Sequence, residues 1–183
     1  MDKNEYAIEM RGLAVGVAAM TVIVTGSNIA VQFPINDWLT WGALTYPVSF
    51  LVTDLTNRAL GPAKARRVVY AGFAVAIALS IFLATWRIAL ASGTAFLLAQ
   101  LLDIAIFDRL RRAAWWRAPF VSSTLASALD TALFFTLAFA GTGLPWMTWG
   151  LGDYGAKLFM ALALLLPFRA LMGLIMAKSP SRA

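Results

Sequence analysis

Six predominantly apolar stretches of roughly 20 residues follow one another along this chain, with short polar breaks between them. A bilayer core about 30 Å thick takes about 20 residues at the helical rise, so each stretch matches one crossing. The reading puts helices at about Leu13 to Phe33, Gly42 to Leu60, Val68 to Ala84, Ile88 to Phe107, Pro119 to Ala140 and Gly155 to Met176. Only helices and closed barrels satisfy the backbone in lipid, and the two-residue alternation of barrel strands is missing. The expected fold is therefore all-α, a polytopic membrane protein with a six-helix bundle forming one membrane domain over residues 1–183.

Charge supports that reading and gives it a direction. Charged residues make up 13% of the 183, against about 25% in ordinary soluble domains. With six spans, Lys3, Arg11, Lys64, Arg66, Arg67, Arg109, Arg111, Arg112, Arg117, Lys178 and Arg182 fall on one side. Only Arg87 and Lys157 fall on the other. Cytoplasmic loops retain Lys and Arg, so both termini are expected in the cytoplasm and the protein in a bacterial inner membrane. Trp38, Trp41, Trp86, Trp146 and Trp149 then lie at the outer interface, with Trp115 and Trp116 at the inner one. The net charge of +6 is explained by this topology, and nucleic acid is not an expected partner. The start, Met1-Asp2-Lys3-Asn4-Glu5, has neither the basic region nor the cleavage site of a signal peptide.

The chain has no Cys and no His, which excludes disulfides, thiolate nucleophiles, imidazole bases and the common zinc sites. No catalytic residue, metal or cofactor is expected. Chemistry then falls to the polar groups inside the spans, because an ionised side chain at mid-bilayer costs at least about 2.5–3.5 kcal/mol. The second span carries Asp54 and Arg58 four residues apart, with Thr53 and Asn57 beside them. They are read either as a site or as an interfacial Arg58 neutralised by Asp54. The fourth span aligns Phe96, Gln100, Asp103 and Phe107 in a stripe that suits a flat heterocycle, with a plain interhelical bond from Gln100 as the other reading.

Asp130 falls near the middle of the fifth span with Ser127 one turn away, and Arg169 lies well inside the sixth. Arg169 needs an anionic partner, and Asp54, Asp103 and Asp130 are the candidates. Asn28, Gln32, Tyr46 and Ser49 are read as the mouth of a cavity or as interfacial polarity. Lys157 stands alone as a lysine within an expected helix, near its outer end.

Tyr46-Pro47-Val48-Ser49-Phe50-Leu51-Val52-Thr53-Asp54-Leu55-Thr56-Asn57-Arg58, followed by Gly61 and Ala65-Arg66-Arg67-Val68-Val69, resembles the signature of the queuosine precursor transporter family, also called the vitamin uptake transporter family. Ala91-Ser92-Gly93-Thr94 through Gln100-Leu101-Leu102-Asp103 and Phe107-Asp108 resembles it too, as does Ser122-Ser123-Thr124 through Asp130-Thr131-Ala132-Leu133-Phe134-Phe135. The likeness runs from about Asn28 to Met176. One departure is Arg58, near a place where members often carry an acidic residue.

The resemblance implies import of 7-cyano- and 7-aminomethyl-7-deazaguanine for queuosine salvage into transfer RNA. It implies a purine-like small-molecule substrate held by Asp54, Asn57, Gln100, Asp103 and Asp130, with Phe50, Phe96 or Phe134 stacking on it. Arg58 and Arg169 are expected, from their places inside the spans, as intramembrane ion-pair residues. The lipid bilayer is the remaining partner, and a homo-oligomer is compatible with everything above. Two other functions compete: a membrane-embedded vitamin-binding subunit of an importer driven by a separate ATPase, and an intramembrane enzyme. The second would have to use a carboxylate pair or a Ser with Lys157, and no enzyme is expected.

Overall fold

Two prolines divide what hydropathy reads as continuous spans. Pro47 offers no N–H to the carbonyl of Ala43, and Pro167 likewise strands the carbonyl of Ala163. In the computed structural model, which describes residues 3–30, 33–36, 38–83 and 85–177, one helix accordingly ends at Thr45, two residues before Pro47, and another at Ala163, with Pro167 in the first turn of the helix that follows. The order is α1 (Lys3–Ala30), a two-stranded antiparallel hairpin β1 (Pro34–Asn36) and β2 (Leu39–Thr40), α2 (Trp41–Thr45), α3 (Val48–Leu60), α4 (Pro62–Leu83), α5 (Trp86–Leu110), α6 (Arg117–Phe139), α7 (Trp146–Ala163) and α8 (Leu165–Ala177). The architecture is all-α apart from that hairpin.

Among the described residues, four helical stretches are long and apolar enough to cross a membrane: Tyr6–Ala30, Trp86–Leu110, Arg117–Phe139 and Trp146–Ile175, the last counting α7 and α8 together. Several ends differ from the sequence-based expectation. The first helix starts ten residues before Leu13, because Glu, Met, Arg and Ala favour helix whether or not lipid surrounds them. α4 starts at Pro62, since proline is welcome at a first helical position, and Gly61 supplies the turn with a φ of 88°. The last helix begins at Trp146 and not at Gly155, so the segment expected as a Gly- and Trp-rich loop is mostly helical. The second span is broken into α2 and α3 by the turn at Tyr46-Pro47, with i to i+3 bonds from Ser49 N to Tyr46 O and from Phe50 N to Pro47 O.

The bundle has two chemically distinct ends. At one lie the hairpin and the α4–α5 and α6–α7 connections; at the other lie Lys64, Arg66, Arg67, Arg109, Arg111 and Arg112. We call them the hairpin end and the basic end. Trp38, Trp41 and Trp86 are exposed at the former, and Trp115 and Trp116 at the latter. Arg87 closes the end of α6 by donating to the carbonyls of Leu137 (2.9 Å) and Ala140 (2.6 Å), where the helix dipole is negative. Val15, Val22, Leu90, Leu98, Phe159 and Leu166 point outward from the long helices, the lipid-facing pattern of a membrane bundle.

α3 runs through the middle, touching α1, α4, α5, α6 and α8. Its polarity follows from that position: Ser49, Thr53, Asp54, Thr56 and Asn57 are buried among protein neighbours and none meets lipid. A second contact depends on glycine. A Cβ at Gly72 of α4 would lie 2.5 Å from Met20 Cγ of α1 and 3.3 Å from Phe96 Cζ of α5. Gly72→Val is expected to destabilise the fold by about 1–3 kcal/mol through overpacking, read as a lower unfolding midpoint in detergent. An unchanged midpoint would mean that α1 and α4 separate freely.

Candidate functional site

The turn at Tyr46-Pro47 carries the Tyr46 ring across to α6, where its hydroxyl donates to Asp130 Oδ1 at 3.1 Å. On the other side of Asp130, Lys157 Nζ reaches Oδ2 at 2.7 Å. Lys157 also holds Asp153 Oδ2, one turn earlier on α7, at 2.5 Å. Thr131 donates to Asp153 at 2.7 Å, and the Lys157 ammonium lies 5.5 Å from the centre of the Tyr46 ring. Lys157 and Asp130 are 4% and 5% exposed, so this is a desolvated node in which two carboxylates share one ammonium.

The node forms the floor of a cavity of about 770 Å³ that extends to the hairpin end. That volume lies within the roughly 300–1,000 Å³ typical of small-molecule sites. Its aromatic lining comes from Phe96 of α5, from Phe134, Phe135 and Phe139 of α6, and from Trp149 of α7. The rings brace one another edge to face: Phe134 and Phe135 have centroids 5.2 Å apart at 84°, and Phe139 and Trp149 5.8 Å apart at 90°. Ser27 and Asn28 of α1 line the cavity as well. The Ser27 hydroxyl is buried with no hydrogen-bond partner among the described residues, which leaves it for an occupant.

Towards the basic end the polar groups of α3 are committed to neighbouring helices. Gln100 of α5 donates to Ser49 Oγ at 2.9 Å and accepts from Thr53 Oγ1 at 2.6 Å. Asn57 Nδ2 donates to the carbonyl of Ile104 at 3.1 Å. Arg111 Nη2 donates to the carbonyl and to Oδ1 of Asn57 at 2.5 and 2.6 Å, while Arg58 donates to the carbonyl of Arg111. Asp108 pairs with Arg111 Nε at 3.1 Å. Between this clasp and the node, Asp54 accepts long hydrogen bonds of 3.4 Å from Ser122 and Ser123 of α6.

The residues singled out in the sequence therefore occupy three places. Asp130, Phe96 and Phe134 line the large cavity; Asp54, Asp103 and Phe50 are buried beneath it; Gln100 and Asn57 join α3 to α5. Ser49 faces Gln100 and not the cavity mouth, and Gln32 lies outside the described residues.

The ion-pair expectation needs correcting. Arg169 is exposed, with its guanidinium carbon 4.9 Å from the centre of the Trp115 ring, and Arg58 turns to the Arg111 carbonyl. The cation that meets Asp130 is Lys157. Asp153 was not anticipated at all, although its i, i+4 spacing from Lys157 is a readable signal once α7 is known to start at Trp146.

A family model described as "Putative vitamin uptake transporter" matches residues 40–84 and 79–172, a stretch that takes in the node and the clasp. The "Queuosine precursor transporter" of Escherichia coli K12 is 34% identical over 175 residues, covering 80% of this chain and 79% of that one. The "Probable queuosine precursor transporter" of Haemophilus influenzae is 34% identical over 186 residues, covering 79% of each chain. A protein of the same description from Bacillus subtilis is 28% identical over 130 residues, covering 56% of this chain. No solved structure matches the chain.

Proposed function

This chain belongs to the vitamin uptake transporter family, and from that premise we propose that it carries queuosine precursors across the bacterial cytoplasmic membrane. In this reading the chain crosses six times, with α2 and α3 as the second crossing, α4 as the third, and α7 and α8 as the sixth. Both termini lie in the cytoplasm, because the basic end holds the Lys and Arg clusters. The cavity then faces the periplasm and stands ready to load.

One observation carries the substrate class: the aromatic cavity of about 770 Å³ with the Tyr46-Asp130-Lys157-Asp153 node as its floor. A 7-deazaguanine is flat, with donors and acceptors along its edge, so it stacks on rings and bonds to a carboxylate. Two carboxylates against one ammonium leave acceptor capacity for a donor from the substrate, and the aminomethyl form carries such a cationic group. A loading site beside the interrupted second helix is the arrangement secondary transporters use, because a helix break frees backbone and side chains at mid-membrane. Transport is the activity this arrangement supports.

The test is uptake of labelled 7-cyano-7-deazaguanine by proteoliposomes containing the purified chain alone. Saturable uptake is expected. Uptake only with an added ATPase would mean that the chain is the binding subunit of a larger importer. Phe134→Ala is expected to raise KM roughly fivefold with little change in maximal rate, since a stacking contact is worth about 1 kcal/mol. Phe134→Tyr should be close to wild type. An unchanged KM in Phe134→Ala would move the ring-binding face elsewhere in the cavity.

A further inference from the structure

We propose that Asp54 and Asp103, held with Ser122 and Ser123 where α3, α5 and α6 meet, form a proton-binding site that couples transport to the proton gradient. The inference rests on the transport reading above and adds an energy source to it. Asp54 and Asp103 are 2% and 0% exposed, on two different helices, and their carboxyl groups lie close enough to interact. No amide or cationic group among the described residues donates a hydrogen bond to either oxygen of Asp103. Two buried carboxyl groups this close repel each other when both are ionised, so a proton between them is favoured, and no positive side chain among the described residues pairs with either.

The charged side chains nearest the pair are engaged elsewhere. From α7, Lys157 lies across a small void from Asp54, but its ammonium is committed to Asp130 and Asp153. From α8 the pair's neighbourhood receives Phe168 and Leu165, which are apolar. Towards the basic end Arg58 and Arg111 are held by a backbone carbonyl and by Asn57, and Asp108 by Arg111. α1 and α4 contribute the apolar cluster of Met20, Val68, Val69 and Ile104 with α5. What reaches the pair is two hydroxyls, Ser122 and Ser123, which donate to a carboxylate or accept from a carboxylic acid with equal ease.

A route to the pair is also present. The small void between the two acidic centres, about 10 Å³, is lined by Asp54, Ser123, Ser127 and Lys157. It has room for about one water and the polar partners to hold it. The proton balance is simple. With one proton the pair carries a single shared negative charge; a second proton, taken from water on the periplasmic side, forms a new O–H bond and neutralises it. On the cytoplasmic side that O–H bond breaks and the proton returns to water. Because the void connects the pair to the Lys157 node, the charge at the pair and the occupancy of the cavity bias each other.

The experiment uses the full chain in proteoliposomes, comparing wild type, Asp54→Asn and Asp103→Asn. An inward proton gradient is expected to raise wild-type accumulation of labelled 7-cyano-7-deazaguanine at least tenfold over no gradient. Each Asn variant should retain exchange of external for internal substrate while losing that gradient-driven gain. A sodium gradient that drives accumulation in place of the proton gradient, or an Asn pair that accumulates like wild type, would overturn the proposal.

A second readout needs no substrate. The infrared band of a protonated carboxyl should be present in wild type and diminished in both variants. Its persistence in both would also overturn the site. Failure of the substrate assignment leaves this readout intact, so the two ideas can fail separately.

Discussion

Lys157→Met is expected to abolish uptake and to destabilise the folded protein by about 3–5 kcal/mol, the range for removing one partner from a buried ion pair. Methionine keeps the length and apolar stem of the side chain, so little packing is lost. What disappears is the ammonium that lies 2.7 Å from Asp130 and 2.5 Å from Asp153. The buried Asp130 and the half-buried Asp153 would then be left with only the hydroxyls of Tyr46 and Thr131. The unfolding midpoint in detergent and uptake at matched membrane expression are the two readouts. Adding Asp130→Asn should recover part of the stability, because one stranded charge is removed, while uptake stays absent. If Lys157→Met folds and transports normally, the node is neither a structural pair nor the floor of a binding site.

That node also marks the limit of what the sequence disclosed. Hydropathy located the long apolar helices because that signal is local and each such helix has to satisfy its own backbone. Asp130 and Asp54 stood out as buried charges by the same local logic. The partner of Asp130 did not, because pairing depends on how α6 and α7 are placed against each other. The Gly, Pro and Trp content between the fifth and sixth expected spans made Trp146 to Tyr154 look like a loop, and that left Asp153 off the helix on which it meets Lys157. Glycine weakens a helix by only about 1 kcal/mol, and packing against α6 overrides it. Arg169 was misjudged for the opposite reason. Its depth along the chain said nothing about which side of α8 it occupies, and it lies outward over Trp115. The fate of Gln100 was open between ligand and interhelical bond, and its two contacts, to Ser49 and Thr53, commit it to joining α3 and α5.

Arg111→Ala is expected to open the basic end. Alternating access requires that end to part when the hairpin end closes, and what holds it together here is a small set of bonds between the ends of α3 and α5. Arg111 gives two hydrogen bonds to Asn57, and Arg58 answers from α3 to the Arg111 carbonyl. The clasp is only partly buried, so each bond contributes about 1 kcal/mol, and losing the two that Arg111 donates removes about 2 kcal/mol. At 1.4 kcal/mol per factor of ten, that shifts the balance between closed and open states by roughly 30-fold.

The chain has no cysteine, so a single introduced thiol reports the change without background. Ile104 is fully buried between the clasp and Gln100, and its carbonyl is what Asn57 binds. Ile104→Cys should therefore resist a membrane-impermeant maleimide applied at the basic end, and adding Arg111→Ala should speed its labelling at least tenfold. Unchanged labelling would mean that the bundle opens elsewhere, with the break between α7 and α8 at Leu164 as the next place to look, because Pro167 has already removed a hydrogen bond there.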